Sequence, residues 1–288
     1  MPISHNRSLW FLSALLLALP SARAVGPTST PPNPLDQAQH QVTAYLATLA
    51  DLHCTESVTQ EKLGGNGHVE ALERAKYDYL IMMDGNGDDF HLNESRIESS
   101  ATRAKPVSML TSDGIATVLL VFHPYYRDSF TFDIGVEEMV DGKPAIPVHF
   151  TQIPGRRSPA ALALGGRQYP LELEGKAWLD KQSGEVVKID ANLLHDMTDV
   201  GLRSIHLKVD YKPTTLGKNP TTINLPAVAI VEVTTPRQHW RNTHIYDSYK
   251  TFSTDVEQGP GVTIHAEKTP TGSDNTTAMV TTEQKEKP

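Results

Sequence analysis

Between residues 171 and 252 several segments place apolar residues at every second position, a spacing that no helix can use. Leu202 to Tyr211 is the cleanest case: Ile205, Leu207, Val209 and Tyr211 alternate with His206, Lys208 and Asp210. Successive side chains of an extended strand point to opposite faces, so this segment has one greasy face and one wet face. Half-wet strands belong to antiparallel sheets, because parallel sheets are covered on both sides. Leu171–Leu179, Glu185–Leu193, Pro226–Thr234 and Ile245–Phe252 read as companion strands. Asp180-Lys181-Gln182-Ser183-Gly184 supplies the turn between the first two.

The first half of the chain adds hairpins and two helices. Thr55–Leu63 alternates loosely and ends at the turn cluster Gly64-Gly65-Asn66-Gly67. Arg74–Met83 reads as a strand with Tyr77, Tyr79, Ile81 and Met83 on one side. Gly85-Asn86-Gly87-Asp88 turns it towards Phe90, Leu92 and Ile97. Phe130–Val140 and Ala145–Gln152 form a further pair around Asp141-Gly142-Lys143. The helix signal is strongest at 35–52, where Leu35, Ala38, Val42, Tyr45, Leu46, Leu49 and Leu52 recur at helical steps. Asn33 caps it and Pro34 suits its first turn. A shorter helix is expected from Ser112 to Phe122, stopped by Pro124. Residues 153–168, rich in Gly, Arg and Pro, read as a mobile loop. Helices set against an antiparallel sheet make an α+β domain.

The ends look like an address and a tail. Residues 1–24 combine a weakly basic start, the apolar run Leu9–Leu19 and Ala22-Arg23-Ala24, the pattern of a signal peptide too short to span a bilayer. The chain is therefore expected to be exported, periplasmic or secreted, with no transmembrane segment in its mature form. Residues 25–34 read as a Pro-rich linker, 35–256 as the single folded domain and 257–288 as a disordered tail. Losing Arg7 and Arg23 with the leader takes the formal charge from −8 to −10. That excess of acid argues against a nucleic-acid partner. Cys54 is the sole cysteine, so no internal disulfide forms and stability must come from a core. It reads as a small buried apolar residue.

Catalytic signals are weak. The chain has no G-x-S-x-G elbow, P-loop, G-x-G-x-x-G after a strand, or H-E-x-x-H. Asp84-Gly85-Asn86-Gly87-Asp88-Asp89 opens like a calcium loop but lacks its glycine and its closing glutamate, so it reads as a hairpin turn. His239 and His244 fall on opposite faces of a strand, as do His53 and Cys54, and His206 has only Asp210 near it in sequence. All read as surface or packing histidines. Glu137 and Glu138 diverge on a strand, and Arg156, Arg157 and Arg167 read as solvated loop charges. Neither an enzyme, a metal site nor a cofactor is expected.

One hairpin carries a resemblance. Gly175-Lys176-Ala177-Trp178-Leu179-Asp180-Lys181-Gln182-Ser183-Gly184-Glu185-Val186-Val187-Lys188-Ile189 resembles the corresponding hairpin of outer-membrane lipoprotein carriers. It is similar also to their relatives, the periplasmic lipoprotein-sorting and sigma-factor-regulatory half-barrels. The resemblance implies a strongly curved antiparallel β-sheet, a half-barrel, wrapped around an N-terminal amphipathic helix and a second short helix. It also implies an apolar cavity for a hydrophobic ligand or acylated protein, and no chemistry. Candidate liners are Leu49, Leu52, Tyr79, Ile81, Trp178, Ile205, Leu207 and Phe252. A filled core would use the same eight side chains. The alternatives are a structural or regulatory envelope module without a cavity, and an envelope hydrolase.

Overall fold

A computed structural model of the chain describes residues 33–49, 52–84, 91–102, 109–112, 115–216, 221–251 and 283–284. Helix α1 (Pro34–Leu49) opens it, with the Leu35 N–H donating to Asn33 Oδ1 at 3.0 Å. There follow β1 (Leu52–Leu63), β2 (Val69–Asp84), β3 (His91–Thr102) and the two-residue β4 (Leu110–Thr111). A 3-10 helix (Ile115–Phe122) and a single α-turn, α2 (Pro124–Arg127), come next. Then run β5 (Phe130–Ile134), β6 (Glu138–Val140), β7 (Lys143–Gln152), β8 (Ala161–Leu164), β9 (Arg167–Pro170) and β10 (Leu173–Asp180). The last long strands are β11 (Val186–Leu193), β12 (Ser204–Leu216), β13 (Thr221–Thr234) and β14 (His239–Thr251). Glu283–Gln284 pairs with β4.

Eleven strands form one antiparallel sheet in the order β3-β2-β1-β14-β13-β12-β11-β10-β7-β5, with β6 also on β7. The first long strand thus lies beside the last, Val58 facing His244 across the ladder. β3 and β5 are its edges among the described residues, so the sheet stays open: a half-barrel of α+β type.

Alternation puts the core on one face. Ala177, Leu179, Ile189, Leu207, Val209, Ala229 and Val231 point inward, and α1 lays Ala38, Val42, Tyr45, Leu46 and Leu49 against that same core. Each Val, Leu or Ile among them removed from water stabilises the fold by about 1.5–3 kcal/mol before entropy is counted. Two glycines of the resembling hairpin let it pack. A Cβ on Gly175 would stand 2.4 Å from the Asp190 carbonyl oxygen. One on Gly184, whose φ is +73°, would meet Gln37 Cβ at 2.7 Å. The turn can therefore lie directly under α1, where Gln41 Nε2 donates to the Ser183 carbonyl at 2.9 Å.

Several expectations need correction. α1 ends at Leu49, and Leu52 begins β1 with its side chain inward. The second helix is 3-10 rather than α, as suits its β-branched Ile115, Thr117, Val118 and Val121. The helix does end ahead of Pro124, with His123 extended, and Pro124 then starts a further turn at the position where its missing N–H costs nothing; His123 caps that turn. Phe130–Val140 breaks in two at Gly135, whose N–H bonds the Pro147 carbonyl. The 153–168 loop contains half of a hairpin, β8–β9, turning on Gly165 and Gly166 at φ +58° and +75°. The Gly85–Asp88 turn of the calcium-like motif lies outside the described residues.

Candidate ligand site on the inner sheet face

The inner face of the sheet has two chemically different halves. Under α1 it leaves a cavity of about 240 Å³. Val42 and Tyr45 of α1, Leu119 of the 3-10 helix, and Val186, Tyr211 and Ile223 of the sheet give it apolar walls. Gln41, Thr48, Glu185 and Asn224 give it a polar rim. Asn224 Nδ2 and Ser183 Oγ both donate to Glu185 Oε2 at 3.2 Å, which fixes that carboxylate at the mouth. Tyr45 and Tyr211 meet edge to face, ring centroids 6.5 Å apart. Neither hydroxyl has a hydrogen-bond partner among the described residues. Burial raises the pKa of both phenols well above the ordinary value.

The other half, over β3, β2, β1 and β14, is buried but polar. Glu56, Asn242 and His244 occupy inward positions of β1 and β14 that alternation would give to apolar residues, and are 0%, 1% and 0% exposed. His244 Nδ1 donates to Glu56 Oε1 at 2.8 Å, because a carboxylate can only accept. Arg96 Nη2 donates to the same oxygen at 2.7 Å. Ser112 Oγ lies 2.8 Å from His244 Nε2 and accepts from Asn242 Nδ2 at 2.8 Å. Burial pushes the Glu56 pKa up, but the His244 bond, Arg96 and the nearby Tyr246 hydroxyl outweigh it and hold the carboxyl below its ordinary value. Tyr79 Oη donates to Glu94 Oε1 at 2.5 Å, and Arg96 stands over the Tyr79 ring, 5.8 Å from its centre.

Ser112, His244 and Glu56 are therefore joined in the order of a serine hydrolase relay. Ser112 is only 2% exposed, so in this arrangement the relay ties the chain down rather than meeting a substrate. Sequence spacing alone makes His244 a surface or packing histidine and does not reveal the relay. Its trace was there to find: Glu56 and His244 share the inward parity of Leu52, Cys54, Val58, Trp240 and Tyr246.

The six expected liners whose side chains are described do not border this cavity. Leu49, Leu52, Ile205 and Leu207 lie in closed core, and Tyr79 belongs to the polar half. Trp178 is on the outer face, since Ala177 and Leu179 point inward. There Lys176 Nζ sits 4.4 Å from its ring, and its indole N–H donates to Glu138. Phe252 and the Ile81 side chain lie outside the described residues. Cys54 is buried, as expected. His206 pairs across strands with Asp190 at 2.7 Å rather than with Asp210. Glu137 and Glu138 diverge to Lys181 and Lys176. The Arg157 guanidinium carbon stands over Tyr125, 3.7 Å from its ring centre. Among the described residues no group of side chains could hold a metal ion, and no helix is long and apolar enough to cross a membrane.

No protein-family profile matches the chain, and no curated protein does. Among solved structures the chain is similar to a DUF1329 family protein from Desulfovibrio piger, at 13% identity and TM-score 0.38, over 79% of this chain and 96% of that one. It is similar at the same identity and score to a putative outer membrane lipoprotein-sorting protein domain from Vibrio parahaemolyticus, over 78% of this chain and 94% of that one. MucB in complex with MucA(peri) follows at 12% identity and TM-score 0.20, over 72% and 94%.

Proposed function

We propose that the chain is an exported, non-enzymatic binding protein whose ligand is the acyl chain of a lipid or of a lipid-modified partner. The observation that carries this reading is the apolar cavity with a polar rim between α1 and the inner sheet face. Ligand sites are commonly apolar clefts with a few polar groups at fixed places. At about 240 Å³ the cavity is smaller than the roughly 300–1,000 Å³ usual for such sites, so with α1 in place it admits only the end of a chain. A longer chain needs α1 to lift. Few described polar contacts resist that, chiefly Arg127–Asp36 at 3.0 Å and Gln41 on the Ser183 carbonyl. Each methylene that follows contributes about 0.8 kcal/mol. The resemblance of the Gly175–Ile189 hairpin to lipoprotein carriers agrees with this reading.

Two experiments test it. Purified mature protein is extracted and its lipids identified by mass spectrometry, and delipidated protein is titrated with a fluorescent fatty acid. Uptake is expected, and Ala44→Trp, which places a large ring at the exposed mouth, should abolish it with the fold intact. Protein that is free of lipid and takes up no probe overturns the reading.

The Ser112–His244–Glu56 relay favours a second reading, an envelope hydrolase. It requires that a fluorophosphonate label Ser112 in the native chain. Absence of label on folded protein removes it.

A further inference from the structure

We infer that the polar half of the inner face is a head-group compartment, shaped for the neutral, oxygen-bearing end of the lipid whose acyl chain enters under α1, and that the strap Met109–Ser112 occupies it in the ligand's place. This rests on the acyl reading above.

The way the strap is held suggests a stand-in. β4 is not part of the large sheet. Sheet side chains grip its oxygens instead. Gln60 Nε2 and Asn242 Nδ2 donate to the Leu110 carbonyl at 2.7 and 2.8 Å. Arg96 Nη1 donates to the Ser112 carbonyl at 2.9 Å. Asn242 Nδ2 and His244 Nε2 converge on Ser112 Oγ. Two of these three oxygens belong to the backbone and the third is a plain hydroxyl. Ester or amide carbonyls and glycerol hydroxyls present the same atoms.

The compartment also has hydrogen-bonding groups of both kinds to spare. Arg96 Nε and the acceptors Glu56 Oε2 and Asn242 Oδ1 are buried without a hydrogen-bond partner among the described residues, even with the strap seated. Unmade bonds of this kind are costly, and a ligand with more hydroxyls than the strap would make them. Charge sets the head's character. Arg96 is the cation of the cluster, and Glu56 and Glu94 stand against it. Among the described residues no positive charge is left over for a phosphate or carboxylate, so a neutral head fits. The two halves are continuous: Leu110, Cys54, Tyr79 and Tyr246 belong to the same buried cluster as the inner face of α1. Tyr246 packs on Tyr79 at 5.6 Å and along His244 at 6.3 Å, so aromatic rings line the polar half beside its hydrogen-bonding groups.

The test uses the full mature chain and three probes of equal chain length: 1-monomyristoylglycerol, myristate and 1-myristoyl-lysophosphatidylglycerol. Affinities come from titration, and hydrogen exchange is followed at the Leu110, Thr111 and Ser112 amides. Monomyristoylglycerol should bind about tenfold tighter than myristate, the worth of one hydrogen bond to a charged donor, and should speed exchange in the strap. In Gln60→Leu its advantage over myristate should shrink. Equal affinities for all three probes, tightest binding of the phosphate-bearing one, or a strap whose protection survives saturation with monomyristoylglycerol would each overturn the head compartment while leaving the acyl reading standing. If none of the three binds, the acyl reading falls and this inference with it.

Discussion

The two halves of the inner face are made by the same device and held by opposite physics. On β10 to β13 the inward positions are mostly apolar, and α1 closes over them as one greasy surface on another. On β1 and β14 the same parity carries Glu56, Asn242 and His244, and a two-residue strand closes over them through hydrogen bonds. Apolar packing is non-directional and tolerates sliding, so the α1 half can open by degrees. A buried polar network is all or none, because each partner removed strands another in a medium that cannot solvate it. The halves should therefore fail differently.

The largest expected effect is in the polar half. Glu56→Ala leaves Arg96 and His244 buried without their carboxylate and should cost about 3–5 kcal/mol, read as a lowered midpoint in urea. Leu207→Ala, in the apolar half, should cost about 2–5 kcal/mol, set by how far the cavity collapses. Acid separates the two. The native Glu56 pKa lies below its ordinary value of 4.5, so its contribution is fully present above that value. It shrinks as pH falls beneath 4.5 and is lost once pH passes the lowered native value. The gap between wild type and Glu56→Gln should close over that window, whereas the gap for Leu207→Ala should not follow it. A Glu56 variant whose deficit ignores pH would break the contrast.

Tyrosine hydroxyls sharpen it at smaller scale. Tyr79→Phe removes the hydrogen bond to Glu94 and should destabilise by about 1–2 kcal/mol. Tyr211→Phe removes a buried hydroxyl that has no partner among the described residues, and should be neutral or stabilise by up to about 1 kcal/mol. The measurement is the same urea midpoint for both. Equal losses would mean that the Tyr211 hydroxyl is satisfied and that the apolar half is less dry than it looks.

How much of this was legible beforehand follows from which signals are local. Period two fixes strands and faces residue by residue, so the C-terminal meander and its inward set Ile205, Leu207, Val209 and Tyr211 could be read directly. The same parity, applied strictly, would have put Trp178 outside, because Ala177 and Leu179 claim the inside. The polar cluster was only half legible. A charge at an inward position shows in the sequence. That Glu56, Ser112 and His244 meet does not, because β1 and β14 are neighbours only once the whole chain has wrapped round. The cavity was not legible at all, since it depends on how closely α1 approaches the sheet.

The smallest expected signal is an absence of reaction. Cys54 follows Leu52 into the inner face, two residues before Glu56 on the same strand. Burial, and then the Glu56 charge, push its thiol up to about 12, so almost no thiolate exists at neutral pH. Native protein should not consume a disulfide reagent at pH 8, while urea-unfolded protein should react fully, its exposed thiol having an ordinary pKa of about 8.5. Cys54 stands between the two halves, close to both Tyr45 of α1 and Glu56 of the network. If the polar half holds as a unit, Cys54 should stay largely unreactive until that network breaks, as in Glu56→Gln. Reactivity that rises together with fatty-acid uptake would show that the two halves open as one body, and the distinction between sliding and all-or-none closure would be lost.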